Sequence, residues 1–342
     1  MEQPPLTWIG RLRRAFTIRG LRLVPCPRSK LQQVLAIWNA ALGERFPLSP
    51  ELFLQNGVCD PHVRPEGCWL ATLPRYPDGV GFCLAKVVRE PLGADGWLPQ
   101  RGWVSLLAVH PAYQRRGIGT ALLARAEQYL RAQQRTVITL GGDPNHFLPG
   151  VPAGGGTLEF FRRAGYVFVD DAYDLRRTIG TPAAPMPGSP PPVESGVMIR
   201  PLEEADTAGL LTFLDEVFPG RWRYTVGRVL QHGGSIGDVM GVVSGARVVG
   251  FAQLYHPHSR WIGPSVAWTW GRGRRTGGLG PMGLAPSFRG RGLGLALLDR
   301  SVRHLAQLGA EEVVVDWTGL RDFYGRLGFS TWRHYRQGEK QL

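Results

Sequence analysis

The chain has 342 residues, 43% of them apolar and 20% charged, which excludes a wholly disordered protein and provides for two ordinary domains or one large one. No apolar run reaches the roughly eighteen residues of a membrane-spanning helix. The net charge of +13 rests on 40 basic residues that are all arginine except Lys30, Lys86 and Lys340. Such a surface attracts phosphates and anionic cofactors, but no basic cluster is interleaved with aromatics as in a nucleic-acid module, so nucleic acid is not an expected partner.

From the N-terminus, Met1–Phe16 is basic but lacks the continuous apolar core of a secretory signal, and residues 1–19 read as an extension on a cytoplasmic protein. Cys26, Cys59, Cys68 and Cys83 show no CxxC spacing and read as free thiols in a reducing compartment. No metal site is expected. Residues 20–177 form a first unit. It contains an apolar strand running into a glycine turn and an amphipathic helix, Trp103–Leu123 (WVSLLAVHPAYQRRGIGTALL). The loop Gly141–Gly156 follows, and its Asp143, His146 and Phe147 are placed to reach a substrate, although such loops are more often variable insertions. His146 has no partner at metal-ligand spacing. Residues 178–196 hold six prolines among small residues and read as a semi-rigid linker.

Residues 197–342 repeat the first unit, with Gly117 and Gly119 recurring as Gly292 and Gly294, and FFRRAGY as FYGRLGF. The pattern predicts a strand from Val197 and a helix whose apolar side is Leu210, Leu211, Leu214, Val217 and Phe218. A second helix over Arg221–Gln231 and two strands around the turn Ser244–Gly245 come next. A short basic run, Gly271–Arg275, reads as an exposed hairpin. A central strand (GPMGLAP) then leads through a glycine turn into the helix LGLALLDRSVRHLAQLG. The buried strand VVVDW, a helix over Leu320–Leu327 and a last strand, Phe329–Tyr335, complete the copy. The order β-α-α-β-β-β-α-β-α-β defines a mixed α/β fold with helices on both faces of a mixed sheet.

The two glycine turns are Gln114, Arg115, Arg116, Gly117, Ile118, Gly119 and Thr120, and Arg289, Gly290, Arg291, Gly292, Leu293, Gly294 and Leu295. Glycine lets the backbone turn sharply and approach a ligand closely. The amides of the turn and of the first helical turn then converge on one anion, and the arginines add charge-assisted hydrogen bonds. Occurrence twice, in the same strand–turn–helix setting, separates the motif from an ordinary connection.

On these residues the chain resembles the GCN5-related N-acetyltransferases (GNAT). Their Gln/Arg-x-x-Gly-x-Gly/Ala signature after a V-x-P strand is similar to Ala108–Pro111 with Gln114–Gly119, and to Gly283–Pro286 with Arg289–Gly294. Their later Tyr-x-x-x-Gly-Phe motif is similar to Tyr324–Phe329. The resemblance covers nearly the whole chain and implies two tandem GNAT domains. It also implies acetyl-CoA as co-substrate, with its pyrophosphate on the glycine turn. Its pantetheine would lie along Leu107, Ala108 and Val109 in the first copy, or Met282, Gly283 and Leu284 in the second. The acidic residue that follows a dinucleotide-binding turn is missing.

Acetyl transfer to an amine needs a neutral amine, a polarised carbonyl and a proton for the departing thiolate. The resemblance implies a backbone oxyanion donor near Met282–Leu284 and gives Tyr324 the acid's position. The first copy has Phe161 there, and its Tyr166 falls at the packing position of Phe329. Asp316, out of pattern at the end of an apolar strand, is read as the base or the anchor of the incoming ammonium, or as the cap of the next segment. Gly141 stands opposite it in the first copy. The second copy is therefore the expected catalytic domain. The first then serves as a second acetyl-CoA site, a wall of the substrate cleft or a stabilising relic.

The expected reaction is direct transfer, in a ternary complex, to a primary amine of a small molecule. The DWTG…FY and FLPGVP segments resemble bacterial glucosamine and glucosaminide N-acetyltransferases more than mycothiol synthases, which points to an amino sugar and leaves an aminoglycoside or other small polyamine, a protein N-terminus or a lysine open as acceptors. Trp317, beside Asp316, is the indole to watch for sugar stacking among Trp222, Trp261, Trp268, Trp270, Trp317 and Trp332. The alternative is an acyl-CoA-binding sensor or interaction protein without turnover, against which the hydroxyl of Tyr324 argues.

Overall fold

The computed structural model describes residues 19–92, 99–179, 193–269 and 275–342. Most of the extension and the proline-rich linker, Trp270 and most of the predicted basic hairpin lie outside the described residues. The first half runs β1 (Arg22–Pro25), α1 (Leu31–Leu42), α2 (Pro50–Phe53), β2 (Val63–Leu73), β3 (Tyr76–Val87), β4 (Arg101–Val109), α3 (Ile118–Ala132), β5 (Val137–Leu140), β6 (Val151–Pro152), α4 (Thr157–Arg163) and β7 (Val167–Thr178). The second half runs β8 (Val197–Pro201), α5 (Thr207–Val217), α6 (Arg221–Gln231), β9 (Val239–Ser244), β10 (Arg247–Tyr255), β11 (Thr276–Leu284), α7 (Leu293–Gln307), β12 (Glu312–Thr318), α8 (Arg321–Gly325) and β13 (Ser330–Gln341). This is the predicted mixed α/β order. Among the described residues no helix is long and apolar enough to cross a membrane.

Local physics sets these elements. Helix α7 buries Leu293, Ala296, Leu297, Val302 and Leu305 along one face, which lies on β10 and β11. On α5 the buried stripe is Leu210, Phe213 and Leu214; Leu211 is only half-buried, because the helical period selects Phe213 in its place. The run Val313–Val315 is buried because β12 lies parallel to β11 inside the sheet.

The repeat predicts a sheet for each copy; the structure joins them in one. The strand order is β1-β2-β3-β4-β5-β13-β7-β12-β11-β10-β9-β8, with β6 paired to β13. Strand β13 of the second half completes the first half's sheet beside β5, and β7 of the first half completes the second half's sheet beside β12. The exchanged strands pair with each other from Ser330↔Arg176 to Glu339↔Val167. Without the exchange β5 and β12 would each be an open edge. On one face an apolar layer spans both halves: Trp38 stacks on Trp268 with centroids 6.1 Å apart, and Gln55 exchanges two hydrogen bonds with the backbone of Ile262.

Candidate active site

Each central strand carries one extra residue at the same place in its copy. The β3–β4 register slips between Leu84 and Ala85, around Ser105, and the β10–β11 register slips at Gly280–Pro281. A bulge bends its strand and ends its pairing. Accordingly β4 pairs in parallel with β5 only over Arg101–Val104, and β11 with β12 only over Thr276–Leu279. Beyond these points the strands part. Met282, Gly283 and Leu284 pair with β10 on one side, and they have left β12 on the other.

The opening leads to the glycine turns, which have the same backbone shape in both halves. Arg115 and Gly117 hold φ of 61° and 86°; Gly290 and Gly292 hold 76° and 79°. Helices α3 and α7 start at Ile118 and Leu293, and neither has a side-chain cap, so the amides of their first turns are open to an anion. A Cβ on Gly290 would meet nothing within 4 Å, so the turn is open to a ligand. These features fit the pyrophosphate and pantetheine of acetyl-CoA. The first motif residue also anchors the turn. Gln114 Nε2 donates to Val109 O (2.9 Å) and Arg289 Nε to Leu284 O (3.0 Å), tying each turn to the end of its strand. Arg291 donates to Glu194 (3.0 Å) and packs on Phe288.

Asp316 sits at a second bulge. The β12–β7 register passes from Val315↔Leu175 to Thr318↔Tyr173 with one extra residue on β12, and Trp317 holds φ of 43°. This turn in the backbone explains a carboxylate out of pattern in an apolar strand. Asp316 is 11% exposed, and its Oδ1 lies 3.7 Å from where a Cβ on Gly280 would be, beside the opening. Burial raises its pKa to about 6, against the pull of Arg221 and of its own backbone amide. It is therefore largely ionised at neutral pH. Tyr324, on α8, is packed edge-on against Phe323 and Phe329. Burial and the charge of Asp316 raise its pKa above the ordinary phenol value, so its hydroxyl keeps its proton. In the first half Phe161 is buried at the matching place, and Tyr166 is a core residue whose hydroxyl donates to Glu127 (3.2 Å).

The insertion of the first half, read as a loop able to reach a substrate, is folded into the junction beside Asp316. Asp143, His146 and Phe147 are 0%, 6% and 1% exposed. Lys86 Nζ holds it in place with bonds to Asp60 (2.8 Å), Asp143 (2.6 Å) and Asn145 O (2.9 Å). Burial works against that ammonium, and the two carboxylates outweigh it, holding its pKa above the usual lysine value. Arg221 of α6 reaches across the halves to Gly142 O (3.1 Å), Asp143 O (2.8 Å) and His146 Nδ1 (2.6 Å). Burial lowers its pKa to about 10, which leaves it charged. His146 Nε2 lies 3.3 Å from Asp316 Oδ2, off the line of a full hydrogen bond.

The first half also delivers Asp174, from β7, whose Oδ2 accepts from Tyr335 (2.6 Å) and Oδ1 from the Trp317 amide (3.3 Å). With both oxygens engaged it is a support rather than a free base. Tyr255 places a buried hydroxyl near Asp316 that has no partner among the described residues. Trp317 is part of the wall: Arg221 covers one face at 4.1 Å and His146 meets it edge-on. Trp268 is stacked on Trp38, Trp332 lies under Arg333, and Trp222 packs on Phe218. Among the described residues no cluster of three His, Cys, Asp or Glu side chains is arranged for a metal.

Comparison with known proteins identifies the family. The profile of the Acetyltransferase (GNAT) family matches twice, over residues 31–148 and 211–329. The chain belongs to this family, as a tandem GNAT N-acetyltransferase, and family members use acetyl-CoA as co-substrate. It is 28% identical over 279 residues to the mycothiol acetyltransferase of Kineococcus radiotolerans, covering 75% of this chain and 77% of that one. A solved structure of the glucosamine N-acetyltransferase region of a fungal multi-domain GH3 β-N-acetylglucosaminidase superposes with a TM-score of 0.80 at 25% identity, over 94% of this chain and 38% of that longer chain. A tandem GNAT protein from the clavulanic acid biosynthesis pathway shares the fold, with a TM-score of 0.62 at 18% identity over 94% of this chain and 98% of that one.

Proposed function

We propose that the second half, residues 197–342, transfers an acetyl group from acetyl-CoA to the primary amine of a small molecule, an amino sugar, in a ternary complex. The observation that carries the reading is the asymmetry at the strand opening. The second half has Asp316 beside the opening and a buried, protonated Tyr324 that feels its charge, whereas the first half has Gly141 and Phe161 at the matching sequence positions. Acetyl-CoA supplies the thioester carbonyl. Asp316 takes the proton of the incoming ammonium, directly or through water, freeing the nitrogen lone pair. A backbone amide near Met282–Leu284 donates to the carbonyl oxygen. As the new C–N bond forms and the C–S bond breaks, the Tyr324 hydroxyl gives its proton to the departing sulfur, and the surplus proton on the acylated nitrogen passes, directly or through water, to the tyrosinate and restores the phenol.

The carboxylate of Asp316 favours a cationic acceptor, and the fungal glucosamine N-acetyltransferase region supports an amino sugar. For residues 20–177 the shared turn geometry supports acetyl-CoA binding without turnover. The four free thiols suit a reducing compartment, and we place the protein in the cytoplasm. The test is CoA release across a panel of amines: glucosamine, chitosan oligomers, an aminoglycoside, a cysteine-bearing amino sugar and a lysine peptide. One amino sugar should turn over, and Tyr324→Phe should lower kcat about 100-fold with little change in acetyl-CoA binding. Tight acetyl-CoA binding with no turnover of any amine would favour the sensor.

A further inference from the structure

We propose that His146, carried by the insertion of the first half, is a positioning residue for the second half: its Nε2–H faces Asp316 and holds that carboxylate ionised and aimed at the cleft. The inference rests on the reading of Asp316 as the base. Its grounds are geometric. An arginine can only donate, so the 2.6 Å contact of Arg221 Nη2 with His146 Nδ1 makes Nδ1 the acceptor. In the neutral ring the proton then sits on Nε2, the atom 3.3 Å from Asp316 Oδ2. Burial and the Arg221 charge keep the ring neutral.

With Nδ1 occupied and Nε2 protonated, His146 has no lone pair with which to accept a proton from the amine. That leaves it the task of a donor. The contact is longer and less aligned than a full hydrogen bond, as such contacts often are before a substrate tightens them. The insertion cannot swing away freely, because Lys86 bonds its Asp143 and Asn145 while Arg221 bonds its backbone. A half with no acid of its own thus completes the site of the other. The other titratable or charged groups around Asp316 are Arg221 on α6, Asp174 on β7, Tyr255 on β10, Tyr324 on α8 and Tyr335 on β13.

The experiment compares the pH dependence of kcat/KM in the full chain for wild type, His146→Phe, His146→Gln and Asp316→Asn, with acetyl-CoA affinity measured in parallel. Loss of the donor destabilises the anion, so His146→Phe should move the acid limb to higher pH by about one unit. The loss should be roughly five-fold near pH 6, approach about ten-fold at lower pH and shrink toward pH 9. His146→Gln, which keeps an N–H donor, should recover most of the rate, and acetyl-CoA affinity should stay unchanged. An unmoved acid limb in His146→Phe, beside an inactive Asp316→Asn, overturns the inference and leaves the base assignment standing. A wild-type pH profile in Asp316→Asn overturns both. Because position 146 is buried, a second measurement uses the intact protein: the 15N shifts of His146, assigned by difference with His146→Gln, should show the neutral Nε2–H tautomer at pH 7. An Nδ1–H tautomer or an imidazolium would contradict the proposal.

Discussion

At Asp174, burial raises the carboxyl pKa to about 7, and the nearby Asp316 charge adds to the rise, while the Tyr335 hydrogen bond opposes it. A carboxyl whose folded pKa lies above its unfolded value of about 4 favours the fold when protonated. Its contribution is full below pH 4 and is lost as the pH rises through 7. Asp174→Asn removes that penalty and still allows bonds to Tyr335 and the Trp317 amide. It should therefore raise Tm at pH 8, by a stability gain of about 2–4 kcal/mol, with the gap narrowing as the pH falls toward 4. A variant that is less stable than wild type at pH 8 would contradict this. Asp316 was legible in the sequence because a carboxylate breaks the apolar run Val313–Val315. Asp174 was not, because β7 also carries Asp170 and Asp171 and nothing in the text marks which of the three turns inward.

Among the elements, the glycine turns carry a prediction that separates the halves. An alanine at Gly292, with φ of 79°, would strain the turn by about 1–2 kcal/mol and crowd the anion site. Gly292→Ala should raise the KM for acetyl-CoA at least about ten-fold. Gly117→Ala should leave kcat and that KM unchanged while removing one of two equivalents of acetyl-CoA bound at equilibrium. Equal loss of turnover in both variants would sink the assignment of catalysis to the second half. These turns and the helices behind them were readable, since glycine spacing and helical periodicity are local signals. The bulges at Ser105, Gly280–Pro281 and Asp316–Trp317 were not, because an extra residue shows only against the strand beside it. The insertion itself was readable, but its burial was not, for the same reason: its anchor, Lys86, lies on β3 far back in the chain.

Over the whole molecule, the exchange of β7 and β13 makes each half depend on the other. The text of β13 beyond Tyr335, RQGEKQ, is polar and hides a role filled by backbone pairing with β5 and by Lys340, which bonds Glu127 (2.8 Å) and Ala164 O (2.7 Å). The two halves should unfold as one cooperative unit, with calorimetric and van't Hoff enthalpies in agreement. Removing residues 338–342 should destabilise the first half, although they belong to the second. Two well-separated thermal transitions would refute this. The exchange also bears on how the protein is made. Strand β5 cannot receive its neighbour until a segment about 200 residues downstream has left the ribosome, so at roughly 5–20 residues per second its edge stays open for tens of seconds. The first half is thus finished last, and during synthesis it presents an unpaired strand that must be kept from meeting the wrong partner.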